Sequence, residues 1–232
     1  MKTTIIAIDK KHLKELIQNE VNKNGSKCDL NHIDVSKIED MSFLFYETFF
    51  NGDISRWNTS NVINMANMFY DSKFTGDISQ WNTSNVIDMH GMFGKSHFNG
   101  DISKWNVSNV INMSNMFYYS KFDNNISNWN TSKLQDASYM FFSSQFNQDI
   151  SNWNTQNIKN VQNMFYNSKF KGDISNWNIY KVNNMKDLFS EKSNYKPWWF
   201  IPNYQQRKKA ILAKKLLDKL PEKENKVKSL KI

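Results

Sequence analysis

Histidine and cysteine side chains are the first candidates for chemistry in this chain of 232 residues. The four histidines are His12, His32, His90 and His97, and Cys28 is the single cysteine. None of the histidines stands at a spacing from a serine or from Cys28 that defines a nucleophile and its base. The sequence also contains no phosphate-binding loop, dinucleotide fingerprint or zinc motif. It therefore predicts a protein that is not an enzyme, with no catalytic residue and no cofactor.

One set of acidic residues recurs every 24 residues and could hold a cation. The set is Asp53, Asp77, Asp101, Asp149 and Asp173, with Asn125 in the remaining position. Like charges on neighbouring strands repel, so backbone N–H groups, a basic side chain or a cation should compensate them. Ca²⁺ prefers several oxygen ligands per site, whereas each repeat supplies one carboxylate. We therefore expect no metal site.

Six tryptophans follow the same 24-residue step and could form a stacking platform for sugars or bases. They are Trp57, Trp81, Trp105, Trp129, Trp153 and Trp177. Each lies three residues after an isoleucine, as Trp57 does after Ile54. Because tryptophan buries a large area and alternates here with isoleucine, we expect the ladder to be core.

These ladders belong to six full copies of a 24-residue unit, running from Phe50 to about Ser193, with a degenerate copy before them. Each copy has two halves. The half "GDIS-x-WN" predicts a short strand. The half "TSNVINMANMF" places Val62, Met65, Met68 and Phe69 at a spacing typical of a helix.

A unit this small cannot bury both of its apolar edges, so the copies should stack against one another. The fold class expected is an α/β repeat solenoid. It would be a right-handed leucine-rich-repeat-like coil of short parallel strands, because crossover connections are almost always right-handed. Each 24-residue repeat would contribute one strand and one short helix, and helical caps would close both ends.

The copies also resemble a known family. The stretch "FNGDISKWNVSNVINMSNMFYYSKFDNNISNWN" and the phrase "W-N/D-x-S-N-V-x-x-M-x-x-M-F" are similar to the BspA-like leucine-rich-repeat surface proteins, over about Asp29 to Ser193. The resemblance implies a repeat scaffold that binds proteins, in some members at cell surfaces and in adhesion. This chain shows no signal peptide and no wall or lipid anchor, so a scaffold is expected rather than an adhesin.

Three regions are predicted: an N-terminal cap at 1–25, the solenoid at 26–193 and a C-terminal cap at 194–232. In the first, Asp9 should cap a helix that carries Leu13, Leu16, Ile17 and Val21 on one face, with Gly25 past its end. In the last, "PWWF" should fold over the final copy or form an exposed docking patch. An amphipathic helix with Ile211, Leu212, Leu216, Leu217 and Leu220 should then end at Pro221.

The net charge of +8 is concentrated at one end of the chain. From Glu191 onward there are 12 Lys or Arg against 4 Asp or Glu, which leaves 18 of each sign in the rest. A neutral repeat region argues against a nucleic-acid-binding rod, which would carry positive charge along its length. Nucleic acid or anionic membrane could bind only the basic end, whose candidate residues are Arg207, Lys208, Lys209, Lys214 and Lys215.

One position varies between fixed serine and tryptophan in every copy and predicts a recognition strip. Its residues, the candidate protein-binding set, are Arg56, Gln80, Lys104, Asn128, Asn152 and Asn176. The function expected is therefore a non-catalytic protein-binding scaffold with a partner of unknown identity. The alternatives are an inhibitor or effector from a mobile element and attachment through the basic end. With no signal peptide, anchor or transmembrane segment, a cytoplasmic protein is expected unless another system exports it.

Overall fold

The computed structural model describes residues 3–191, 193, 196–201 and 203–217. These residues fall into two compact units, one within Met1–Asn194 and one within Tyr195–Ile232. The elements in chain order are β1 (Ile5–Ile6), α1 (Lys10–Asn24), β2 (Ile33–Asp34) and α2 (Tyr204–Leu217). The six full copies lie between β2 and α2, so within the described residues they contain no helix and no strand longer than a single bridge.

The N-terminal helix forms where the sequence predicts it. The Asp9 side chain caps α1 by accepting a hydrogen bond from the His12 N–H at 2.8 Å, which satisfies an N–H that the helix itself leaves free. Gly25 ends the helix with φ +81°, a conformation that suits glycine. Leu13 and Ile17 are buried. The strand β1 precedes α1 and pairs in parallel with β2.

The prediction of one helix per copy is wrong. In the half that begins at Thr59, Asn67 and Asp71 have φ values of +55° and +50°. Such left-handed residues cannot continue a right-handed helix. Four-residue turns replace it, as where the Met68 N–H donates to the Met65 carbonyl at 3.2 Å. The three-residue spacing of the apolar side chains is therefore the spacing of successive turns.

The prediction of a strand at "GDIS-x-WN" is also wrong. The chain turns there, because the Trp57 N–H donates to the Ile54 carbonyl at 3.2 Å and the Ser55 N–H donates to Asp53 Oδ1 at 2.9 Å. One parallel bridge, between Asp29 and Asp53, forms at this half. Most parallel pairing lies in the other half, at single residues one repeat apart. Phe165 pairs there with Phe189, and a longer ladder joins Asp40, Asn64, Asp88, Asn112, Asp136, Asn160 and Asn184.

Asparagine and aspartate side chains explain both differences. The Asn64 side chain accepts a hydrogen bond from the Ala66 N–H at 2.9 Å, and this local bond competes with helix formation. Alternate N–H groups then find partners in the following copy. The Met65 N–H donates to the Asp88 carbonyl at 2.9 Å, and the Asn67 N–H donates to the His90 carbonyl at 2.7 Å. Hydrogen bonds between copies thus replace those within a helix.

Two ladders of phenylalanine fill the core. In the first, neighbouring rings one repeat apart have centroids 5.4–5.9 Å from each other, and its members are Phe45, Phe69, Phe93, Phe117, Phe141, Phe165 and Phe189. In the second, the separations are 6.2–6.5 Å, and its members are Phe50, Phe74, Phe98, Phe122, Phe146 and Phe170. The first six rings of the first ladder also stack on rings of the second, with centroids 4.1–4.6 Å apart. The stacked rings join each copy to the next.

The tryptophan ladder is core, as predicted. The six residues are 3–4% exposed. Each indole N–H donates to a backbone carbonyl 27 residues earlier, as from Trp105 Nε1 to the Ile78 oxygen at 3.1 Å. A buried indole N–H without a partner would be costly, so this bond secures both the position of the ring and the register of the copies.

The C-terminal unit contains α2. Ile211 is buried, but Leu212 and Leu216 are 56% and 59% exposed, so the predicted apolar face is wrong at these two positions. Leu220 and Pro221 lie outside the described residues. Trp199 is buried and Trp198 is 47% exposed.

Replacing a central tryptophan should destabilise the whole repeat region. Trp105→Ala removes a ring with neighbours on both sides and should lower the free energy of unfolding by about 3–5 kcal/mol. Trp177→Ala, nearer the end of the repeats, should cost less. Urea unfolding followed by circular dichroism measures both, with Trp198→Ala as an exposed control expected to change the value by less than about 1 kcal/mol. A Trp105→Ala protein as stable as this control would contradict a buried ladder.

The residues with positive φ give a second test, because the same two substitutions have opposite relative effects on stability in a turn and in a helix. Asn115 has φ +58°. Asn115→Val should cost about 1–2 kcal/mol, since a β-branched residue is strained in this conformation. Asn115→Gly should be nearly neutral. A helix would reverse the order, because glycine is the poorer helix former, so thermal unfolding of the two variants distinguishes the structures.

Candidate functional site

The predicted recognition strip lies on the surface. All six of its side chains, from Arg56 to Asn176, are exposed and occupy equivalent positions in successive copies. Arg56 also approaches the Asp29 carboxylate, with Nη2 3.8 Å from Oδ2. Exposure makes the strip available to a partner, and its binding role stays a prediction.

The predicted basic end needs a correction. Arg207 is 1% exposed, and its Nη1 donates to the Ile201 carbonyl at 3.0 Å. It therefore supports the C-terminal unit and cannot serve as a surface charge. Lys209, Lys214 and Lys215 are exposed and Lys208 is half-buried.

One histidine contacts a serine, although the sequence did not indicate a pair. His90 Nδ1 lies 2.7 Å from Ser114 Oγ, and the Ser114 hydroxyl donates to Asn112 Oδ1 at 2.7 Å. Because the amide oxygen takes the hydroxyl proton, the histidine is left to donate to the serine rather than to act as its base. Ser114 is also buried. The arrangement is a structural contact.

A groove lined by three exposed isoleucines is the most distinctive surface of the repeats. Ile63, Ile87 and Ile111 occupy one position in three consecutive copies and are 39%, 43% and 37% exposed. They line a groove of about 450 Å³, which we call the isoleucine groove. Its other lining residues are Glu39, Asn61, Asn85, Asn109 and Lys133. Contiguous exposed apolar side chains with a polar rim are typical of binding surfaces.

The floor of the groove has its backbone groups paired internally. The Ile87 N–H donates to the Ile63 carbonyl at 2.8 Å, and the Ile111 N–H donates to the Ile87 carbonyl at 2.9 Å. The chain of bonds continues in both directions, to the Glu39 carbonyl and from the Asn183 N–H. A partner therefore meets side chains here and does not add a strand.

Asparagine side chains form one wall of the groove. Asn61, Asn85 and Asn109 each donate from Nδ2 to a serine carbonyl of the preceding copy at 2.7 Å. These bonds hold the amide groups in fixed positions beside the isoleucines. The wall is thus preorganised, which lowers the entropy lost when a partner binds.

The two ends of the groove differ in charge. Glu39 occupies the isoleucine position of the preceding degenerate copy. At the other end, Lys133 occupies the asparagine position, and its Nζ donates to Asn109 Oδ1 at 2.6 Å. Lys159 and Lys181 follow in the next copies, with Nζ bonded to Gln135 Oε1 at 2.8 Å and to Asn157 Oδ1 at 2.6 Å. The ordered ammonium group of Lys159 therefore continues the line of the isoleucines, and those of Lys133 and Lys181 continue the line of the asparagines.

The groove was not predicted from the sequence. A signal for it exists, because one position reads Glu39, Ile63, Ile87, Ile111, Gln135, Lys159 and Asn183 along the copies. Isoleucine recurs here at a position that is polar in the other copies. Exposure to water does not account for such a residue, so it indicates a surface that contacts something else. When this half of the copy is interpreted as a helix, the position lies beside residues of the apolar face and is not recognised as exposed.

A second cavity, of about 470 Å³, lies beside α1. Ile17 and Val21 of α1 line it, together with Phe43, Phe45 and Phe49. Phe49 is 76% exposed. The cavity is apolar and carries no charged pair that would define a ligand.

The aspartate ladder serves turns. The Ser103 N–H donates to Asp101 Oδ1 at 2.9 Å, and the Ser151 N–H donates to Asp149 Oδ1 at 2.8 Å. These backbone hydrogen bonds, helped by the serine hydroxyls, lower the pKa of both carboxyl groups. Backbone N–H groups thus supply the compensation that the sequence required. Among the described residues, no three or more His, Cys, Asp or Glu side chains are grouped as a metal site would need.

Comparison with known proteins gives one match. The family model described as a Mycoplasma protein of unknown function, DUF285, matches residues 11–121 and again residues 94–198. The two overlapping matches are what an internal repeat produces. Curated proteins and solved structures gave no match. In the part of the chain that the structure describes, no helix has the length and apolar character to cross a membrane.

Acidification should test the aspartate turns. Because the folded-state pKa of Asp101 and Asp149 is lowered, their stabilising contribution is complete above the ordinary aspartate pKa of about 3.9 and is lost as the pH falls below it. Asp101→Asn with Asp149→Asn keeps the acceptor, as Asn125 does when it accepts from the Ser127 N–H. The double variant should lose less stability between pH 5 and pH 2.5 in urea unfolding. An unchanged acid dependence would contradict this role.

Proposed function

Since the chain belongs to the DUF285 family of Mycoplasma proteins of unknown function, we propose from its geometry that it is a non-catalytic, protein-binding repeat scaffold. The observation that carries the proposal is the isoleucine groove. Three isoleucines face water side by side, while the valines and methionines next to them in the chain are buried. A partner that covers the groove would remove this apolar area from water.

The free energy gained by covering the isoleucines shows whether binding requires further contacts. Covering three isoleucines that are each about two-fifths exposed contributes about 1 kcal/mol per residue. A micromolar complex requires roughly 8 kcal/mol. The apolar floor is therefore insufficient alone, and the asparagine wall and the charged ends must contribute. The exposed strip from Arg56 to Asn176 is a second surface available to the same partner.

We infer a solenoid from the contacts between copies. Rings, indole N–H groups and backbone amides all meet partners about one repeat away, which supports a continuous winding of the chain. A right-handed sense is expected for such windings. The resemblance to BspA-like repeat proteins favours a scaffold of this kind, and a leucine-rich-repeat relationship belongs to the proposal.

The two alternatives differ in what they need. An inhibitor or effector from a mobile element would also act by binding a protein, so the groove serves it equally. Attachment to nucleic acid or anionic membrane would depend on Lys209, Lys214 and Lys215, because Arg207 is buried.

Capture experiments test the proposed function. The immobilised full chain is incubated with a lysate of the source cells, in parallel with Ile87→Asp and with Tyr119→Asp as a control. Both substitutions place a carboxylate at an exposed apolar residue, 43% and 51% exposed, but only the first lies in the groove. We expect a protein that is retained by the wild type and the control and lost from Ile87→Asp.

The captured protein is then identified by mass spectrometry, purified and mixed with the chain. A stoichiometric complex in size-exclusion chromatography should form with the control and not with Ile87→Asp. Equal capture by all three chains would remove the groove as the binding surface.

A further inference from the structure

We propose that the isoleucine groove binds an extended peptide segment in which apolar residues are followed by acidic residues. The inference rests on the proposed function and adds the chemistry of the partner. Apolar side chains of the segment would cover Ile63, Ile87 and Ile111. Its carboxylates would meet Lys133, Lys159 and Lys181.

The lysines are the first support, because they are ordered without being neutralised. Each ammonium group donates to a side-chain carbonyl oxygen of the preceding copy, at 2.6–2.8 Å. Within the described part of the chain none of the three lies within ion-pair distance of a carboxylate. Charged groups held in place and free of a counter-charge are suited to carboxylates of a partner.

Glu39 fixes which end of the segment is acidic. It lies at the opposite end of the groove and is exposed. A carboxylate placed there would be repelled, whereas one placed beside the three lysines would be attracted. The charge pattern therefore gives the bound segment one orientation along the groove.

The distance favours an extended segment. Ile63 and Lys181 lie five copies apart, two positions from each other in the repeat, and five copies span roughly 24 Å at the spacing of parallel strands. An extended chain covers this distance with about seven residues. A helix would need about sixteen residues and would present its side chains on a rounded surface.

Other occupants fit less well. Nucleic acid would bring phosphates along the whole groove, whose lining carries a positive charge at Lys133 and a negative charge at Glu39. An anionic membrane surface requires lysines around an apolar patch, whereas these lysines lie at one end only. The basic C-terminal segment of this chain has the wrong sign for the lysine end.

Selection from a displayed library of random ten-residue peptides tests the proposal. The bait is the full chain, and peptides retained by Ile87→Asp are discarded. We expect the enriched peptides to combine two or three apolar residues with a following group of Asp or Glu. Enriched peptides without acidic residues, or no enrichment at all, would overturn the proposal.

The enriched peptide is next synthesised with a fluorescent label, and its affinity is measured by anisotropy. The variant Lys133→Gln, Lys159→Gln, Lys181→Gln should bind at least tenfold more weakly. The control Lys121→Gln, Lys169→Gln, Lys171→Gln makes the same change in net charge at exposed lysines outside the groove and should bind as the wild type does. Circular dichroism of both variants confirms that they are folded.

The outcomes separate this inference from the proposed function. Equal binding by both lysine variants, with loss of binding in Ile87→Asp, overturns the acidic partner and leaves the protein-binding groove standing. Failure to enrich any peptide, with Ile87-dependent capture of a lysate protein, overturns the extended segment alone. If Ile87→Asp changes neither peptide binding nor capture, both the inference and the proposed function are wrong.

Discussion

Each copy completes its hydrogen bonding only when the copies before and after it lie against it. The Met65 N–H has its partner in Asp88, and the Trp105 indole has its partner in Ile78. A buried N–H left without a partner costs about 1–3 kcal/mol, and every copy would have several. The stacking of phenylalanine rings imposes the same requirement on the side chains. An inserted residue would disrupt both sets of contacts, which explains why the tryptophans keep a spacing of 24 residues without a slip.

This constraint decides where function can reside. Most positions of a copy are committed to turns, to the core or to the backbone of a neighbour. Positions whose side chains point outward can differ between copies, and at two of them the differences create candidate binding surfaces. One carries the polar series that begins at Arg56. The other changes from Glu39 to three isoleucines and then to Gln135 and Lys159, so that one line across the copies changes from acidic to apolar to basic.

The sequence predicted those structural features whose local residue pattern has a single physical interpretation. Asp9 and Gly25 mark the two ends of α1 because capping and positive φ each favour few residue types. The buried tryptophans followed from their size and period. The turns in the half that contains Val62 and Met65 were not predicted, because turns that repeat every three residues and a helix give nearly the same apolar spacing. Asn67, near the end of that half, distinguishes the two structures by its positive φ, and its N–H is bonded to another copy. The isoleucine groove was missed for the same reason, since its exposure depends on the turns.

The alignment of the peptide groups has an electrostatic consequence. In each of the first four full copies, N–H groups at four alternate positions donate to the following copy, as Met65 does to Asp88 and Asn67 to His90, while the N–H at the isoleucine position donates to the preceding copy. The forward-pointing peptides form columns along one part of the stack, and within each column the dipoles are aligned as they are in an α-helix. The negative ends of these columns lie at the first copy, where the Lys10 ammonium group binds Asp40 and Ser42. The opposite ends of these columns, at the last copy, are electropositive and are made by the main chain.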